Sequence, residues 1–114
     1  MFAWGIFMSH EARDETIHDD KFHYDLFATE ERALNYLKEQ EEWWRKLYAD
    51  PCIVDAAKKE FFGGKTPDEA IRLFKESAEI CGEEDVWVLT RDYLSSTGAE
   101  MRERIVAKEL SVHD

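Results

Sequence analysis

The chain has 114 residues, 44% apolar and 13% aromatic, with 26 acidic and 15 basic side chains and a formal net charge of −11. That length suits one domain, the apolar fraction excludes a generally disordered chain, and so negative a surface excludes a basic groove for direct nucleic-acid binding. The charge instead favours encounter with basic partners, because summed charge steers association.

The opening MFAWGIFMSH is apolar but short, has no basic lead and turns polar at Ser9, so neither a signal peptide nor a membrane span is expected. With two Cys and no export signal, a reducing, cytoplasmic setting is the expectation. Within that segment Phe2, Trp4, Ile6 and Met8 alternate with Ala3, Gly5, Phe7 and Ser9, which predicts a strand. Phe22, Tyr24 and Leu26 alternate with His23, Asp25 and Phe27 in the same manner, so the two segments predict a hairpin with a long polar connection.

Thr29 then reads as the cap of a helix with Glu30 and Glu31 in its first turn, where negative charge suits the helix dipole. Ala33, Leu34, Leu37, Trp44, Leu47 and Tyr48 form one apolar stripe, and the helix is expected to run to Ala49. Asp50-Pro51 restarts the chain as a second helix, with Ile53, Ala56, Ala57 and Phe61 inward and an end at Gly63.

FFGGKTPDEA, from Phe61 to Ala70, superficially resembles the end of a phosphate-binding loop. The full motif needs Gly where Lys59 stands and a preceding strand, and Pro67 removes a backbone N–H near the phosphate position. The stretch reads instead as a helix stop at the glycines followed by a capping box, with Thr66 as N-cap, Pro67 first and Glu69 third. A third helix is expected from there to Gly82, with Ile71, Phe74, Ala78 and Cys81 inward and Lys65 as a solvated linker residue.

Val86 to Tyr93 is rich in β-branched and aromatic residues and predicts a strand. Arg104 to Val112 alternates as a further strand, although Thr97 with Glu100 could instead cap a helix carrying Met101, Ile105 and Leu110. The order β-β-α-α-α-β-β gives an α+β fold: a mainly antiparallel four-stranded sheet with three helices packed on one face.

Candidate sites for chemistry are few. His10, His18 and His23 lie among Glu11, Asp14, Glu15, Asp19, Asp20 and Asp25, a donor set that can hold a divalent ion, but without a recognised ligand spacing. No metal and no cofactor is therefore assigned. Cys52 and Cys81 are expected to be buried free thiols, and Ser95 and Ser96 lack a nucleophile's setting. Glu41 and Glu60 border the apolar stripes, and Glu41 has Arg45 one turn on, an ordinary surface pair.

The EEWWRK segment carries a different signal: Trp44 lies in the apolar stripe, while Trp43, rotated about 100° from it, lies at the border. An aromatic there, flanked by Glu39 and Glu42, has the makeup of an anchor within a polar rim. The expectation is thus a non-catalytic acidic module that binds a protein partner and occludes a basic functional surface, such as that of a nucleic-acid-handling enzyme. The partner-binding set is Glu39, Glu42, Trp43 and Lys46, extended by Glu76 and Glu79 of the following helix. In size, charge and want of a catalytic signature the chain resembles small acidic immunity proteins and mobile-element antagonists of defence enzymes, a likeness of class without a diagnostic motif. The alternative is a small enzyme or ligand-binding protein, as a homodimer, using an uncovered sheet face lined by Phe7, His23, Asp25 and Phe27, with His23 as the acid–base group.

Overall fold

A computed structural model of the chain describes residues 2–12, 21–50, 61–77, 85–95 and 97–111, with backbone alone at 2, 12, 21–25 and 111. In chain order the elements are β1 (Phe2–Ala12), β2 (Lys21–Phe27), α1 (Glu30–Ala49), a single turn α2 (Pro67–Ala70), β3 (Ile71–Ser77), β4 (Asp85–Leu94) and β5 (Glu100–Ser111). The α+β class stands, with one sheet of five strands in the order β2-β1-β5-β4-β3. Every neighbouring pair is antiparallel.

Two details of the expected fold are corrected. The sheet has five strands rather than four, and the third helix ends after one turn, giving way to β3. Thr66 acts as the expected N-cap, its Oγ1 accepting the Glu69 N–H at 3.3 Å, while the Glu69 carboxylate accepts from the Thr66 hydroxyl at 2.9 Å in place of the backbone N–H of a full capping box. What fails is propagation. Residues 71–77 fit a helical stripe through Ile71 and Phe74 and equally a strand with Ile71 and Leu73 on one face. Pairing with the free edge of β4, from Ile71↔Arg91 to Ser77↔Asp85, satisfies a whole row of β4 backbone groups and decides for the strand. The second expected helix lies mostly outside the described residues; Phe61 and Phe62 are helical and stop at Gly63 and Gly64, both at positive φ (60° and 80°). The strand-or-helix alternative after Thr97 resolves as strand, β5.

α1 follows its sequence closely. Thr29 Oγ1 accepts the Arg32 N–H at 3.3 Å, and Glu30 and Glu31 occupy the first turn. The helix lies across one face of the sheet and buries Ala33, Leu37 and Trp44 against Trp4, Ile6, Ile71, Leu89, Ile105 and Ala107. Leu37, Ile6, Leu89 and Ile105 are at most 1% exposed, and burial of each such side chain contributes about 1.5–3 kcal/mol. Phe62 closes one end of this core, its ring 4.4 Å from that of Tyr48. The other end is fastened at the helix start, where Glu30 Oε1 accepts from Trp87 Nε1 at 2.9 Å and Lys75 Nζ at 3.1 Å.

Alternation along each strand sends the remaining side chains to the face away from α1. That face carries Phe7 on β1, Val106 on β5, Val88 on β4 and Phe74 on β3, aligned by the registers Phe7↔Val106, Val106↔Val88 and Val88↔Phe74. No helix covers it among the described residues.

Candidate functional site

The outer side of α1 presents Glu39, Glu42, Trp43 and Lys46 together, all exposed. Helix geometry causes the split between the two tryptophans: Trp44 points at the sheet and is 2% exposed, whereas Trp43 is 55% exposed. Lys46 Nζ lies 3.2 Å from Glu42 Oε1, and Glu39 has no partner among the described residues. Glu76 does not join this group. It sits on β3, facing the side of the sheet away from α1, where its Oε2 accepts from Arg104 Nη2 at 2.7 Å. Glu79 lies outside the described residues, as do Glu60, Cys52, Cys81 and most of the acidic connection with His18.

Of the residues grouped as an uncovered sheet site, Phe7 and Phe27 are separated. Phe27 pairs with Trp4 and its ring packs 5.6 Å from Tyr36 of α1, so it belongs to the covered side, whereas Phe7 faces away. His23 pairs with Ile6 beyond a register shift between Gly5 and Ile6, and the side chains of His23 and Asp25 are not described. Among the described residues no three His, Cys, Asp or Glu side chains gather as metal ligands. His10 instead places Nδ1 2.9 Å from the Tyr93 hydroxyl.

That histidine borders a polar cluster the sequence did not announce. Arg91 Nε donates to Glu103 Oε2 at 2.6 Å, with only 16% and 6% of the two side chains exposed. The Arg91 guanidinium lies 4.9 Å from the Trp44 ring centroid and 4.8 Å from that of Tyr93, so two aromatic faces stabilise the cation. Burial, with the nearby Glu103 carboxylate, pushes the Tyr93 phenol above its ordinary pKa against the opposing effect of Arg91. The phenol therefore stays protonated at neutral pH and can donate to His10. The signal was present in the phase of β5: Met101, Glu103, Ile105 and Ala107 share a face, so an acid stands in an otherwise apolar row. The chemistry is that of a closed, charge-balanced structural pair rather than an acid–base couple.

Lys65 is likewise not a free linker residue: its Nζ lies 2.7 Å from Asp92 Oδ2, and Arg102 Nε donates to Asp92 Oδ1 at 2.9 Å. Burial raises the Asp92 pKa, but these hydrogen bonds and cationic charges outweigh it and hold the carboxyl below its ordinary value. Glu41 pairs with Arg45 as its spacing implied (3.3 Å), and Arg45 Nη1 also reaches Asp68 Oδ1 at 2.8 Å. Glu41, Arg45 and Arg102 also line a groove of about 570 Å³ with Thr90 of β4 and Ile71, Arg72, Leu73 and Phe74 of β3.

No helix among the described residues is long and apolar enough to cross a membrane. In comparison with known proteins, the chain matches no family model, no curated protein and no solved structure.

Proposed function

We propose that the protein is a non-catalytic binding module whose outer α1 face engages a partner protein and occludes a basic functional surface on it. The observation that carries this reading is Trp43, a large aromatic 55% exposed at mid-helix while its neighbour Trp44 fills the core. Desolvating such a ring against a partner is a common source of binding energy at interface centres. Glu39 and Glu42 beside it supply the negative rim, and the chain's charge of −11 steers a basic surface toward it. A nucleic-acid-handling enzyme is one partner class with such a surface, and inhibition by occlusion is the corresponding mechanism.

The test is affinity capture from the native cell or its host, at low and moderate salt, with wild type and Trp43→Ala in parallel. One stoichiometric protein that is retained by wild type, weakened by salt and lost with Trp43→Ala supports the reading. A partner held equally by both chains overturns it.

A further inference from the structure

β3 ends the sheet, and its second edge is open among the described residues. The order β2-β1-β5-β4-β3 leaves it with one neighbour, and apart from the Ile71 N–H, which bonds Pro67 O, none of its backbone groups bonds outside β4 among the described residues. An unpaired strand edge is a template for another strand. Charged residues often block such edges, so the arrangement of charge decides what can pair there.

From Ile71 the strand reads Ile-Arg-Leu-Phe-Lys-Glu-Ser. Its central residue is Phe74, 38% exposed, one of three large apolar side chains so exposed among the described residues. Arg72 and Glu76 stand two positions to either side of it, on the same face, the one away from α1. Arg72 has no ionic or hydrogen-bonding partner among the described residues. If a second β3 runs antiparallel to the first about a two-fold axis at Phe74, Phe74 meets its own copy, and each Arg72 falls opposite a Glu76. On the other face Leu73 falls opposite the stem of Lys75, whose ammonium is already held by Glu30 at 3.1 Å. The charges that would repel many foreign strands are thus self-complementary.

We propose that the protein forms a two-fold dimer by antiparallel pairing of β3 with β3 of a second copy, in the register Phe74↔Phe74 and Arg72↔Glu76, making one ten-stranded sheet. The Glu76 carboxylate then serves both Arg104 of its own chain and Arg72 of the other, which its several acceptor positions allow. Both α1 helices lie on one face of the joined sheet. Trp43 lies on the flank of α1 that carries Tyr36, seven residues earlier and packed toward β2, so the proposed partner face stays clear of the dimer seam. An isologous pairing of this kind closes at two copies and does not propagate into a fibre.

The test is sedimentation equilibrium of the whole chain from low to high micromolar concentration, with circular dichroism confirming that each variant is folded. Wild type is expected to reach twice the chain mass. Arg72→Glu alone and Glu76→Arg alone each set like charges opposite at two symmetric positions and should each raise the dissociation constant about 30-fold. In a mixture of the two variants, the introduced carboxylate of one chain falls opposite the introduced guanidinium of the other, and the native Glu76 and Arg72 again face each other. The mixture should therefore recover wild-type association. A wild type that stays monomeric, variants that associate like wild type, or a mixture that fails to recover overturns the proposal. Trp43→Ala should leave the dimer intact, so loss of partner capture and loss of self-association are read separately.

Discussion

Replacement of Glu103 by Ala should cost far more than removing a surface carboxylate. The Arg91–Glu103 contact is 2.6 Å long and only 6% of the Glu103 side chain is exposed. Unit charges about 4 Å apart attract by about 4 kcal/mol at an effective dielectric of about 20, but desolvation of both groups consumes much of it, so the intact pair contributes little net stability. Removing one member is different, because Arg91 keeps its charge beneath α1 with no other carboxylate beside it among the described residues. Such losses run to about 3–5 kcal/mol. The rings of Trp44 and Tyr93, both within 5 Å of the guanidinium, still shelter the cation. The expected cost is therefore at the lower end, about 3 kcal/mol, or a fall of about 12 °C in Tm for a chain of this length. Urea unfolding followed by Trp fluorescence measures it. Arg91→Met with Glu103→Leu removes both charges and should return to within about 1 kcal/mol of wild type. A Glu103→Ala cost below about 1 kcal/mol, or single-mutant losses that simply add in the double mutant, would refute the argument. Loss of Glu103 should also lower the Tyr93 pKa, visible by ultraviolet difference titration, since burial then acts without the carboxylate's help and Arg91 opposes it.

Asp92 is held below the ordinary carboxylate range of about 3.9, so its stabilising contribution is full above that pH and is lost as pH falls through the folded value. Asp92→Asn should flatten the acid limb of a urea-midpoint profile below about pH 4; an unchanged slope would show that Lys65 and Arg102 do not act through it. Gly63→Ala forces a side chain into φ +60° and should destabilise by about 1 kcal/mol, as should Thr66→Ala through loss of the cap, both read as shifts in urea midpoint at constant slope. For the partner complex, Trp43→Ala should raise the dissociation rate about 30-fold. Glu39→Lys with Glu42→Lys should instead slow association and weaken its salt dependence, measurable by surface plasmon resonance.

Local chemistry, written in consecutive residues, is what the sequence determined by itself. Thr29 to Ala49 is a helix because a cap, an acidic first turn and a stripe at helical spacing agree, and the same spacing separates Trp43 from Trp44 without reference to the sheet. Gly63-Gly64 and Thr66-Pro67-Asp68-Glu69 stop one helix and open another turn, because left-handed backbone and end-capping depend on neighbouring residues alone. β1 was legible from alternation, and β5 only in part, since a helix capped by Thr97 fitted the same residues and the strand begins at Glu100 rather than Arg104. The tertiary structure decided what local preference leaves balanced. Residues 71–77 suit either a helix or a strand, and only the unpaired edge of β4 selects the strand, which makes β3 the end of the sheet and removes Glu76 from the α1 face. The phase of β2 was likewise undecidable from alternation: the pairing of Phe27 with Trp4 and the position of Tyr36 put Phe27 under α1 and part it from Phe7. The Arg91–Glu103 pair belongs to the same class, since each charge is tolerable at its site only because β4 and β5 align and α1 lays Trp44 over them. Contacts between residues distant in the chain depend on registers and crossings, and these are set by the assembled sheet rather than by any one segment.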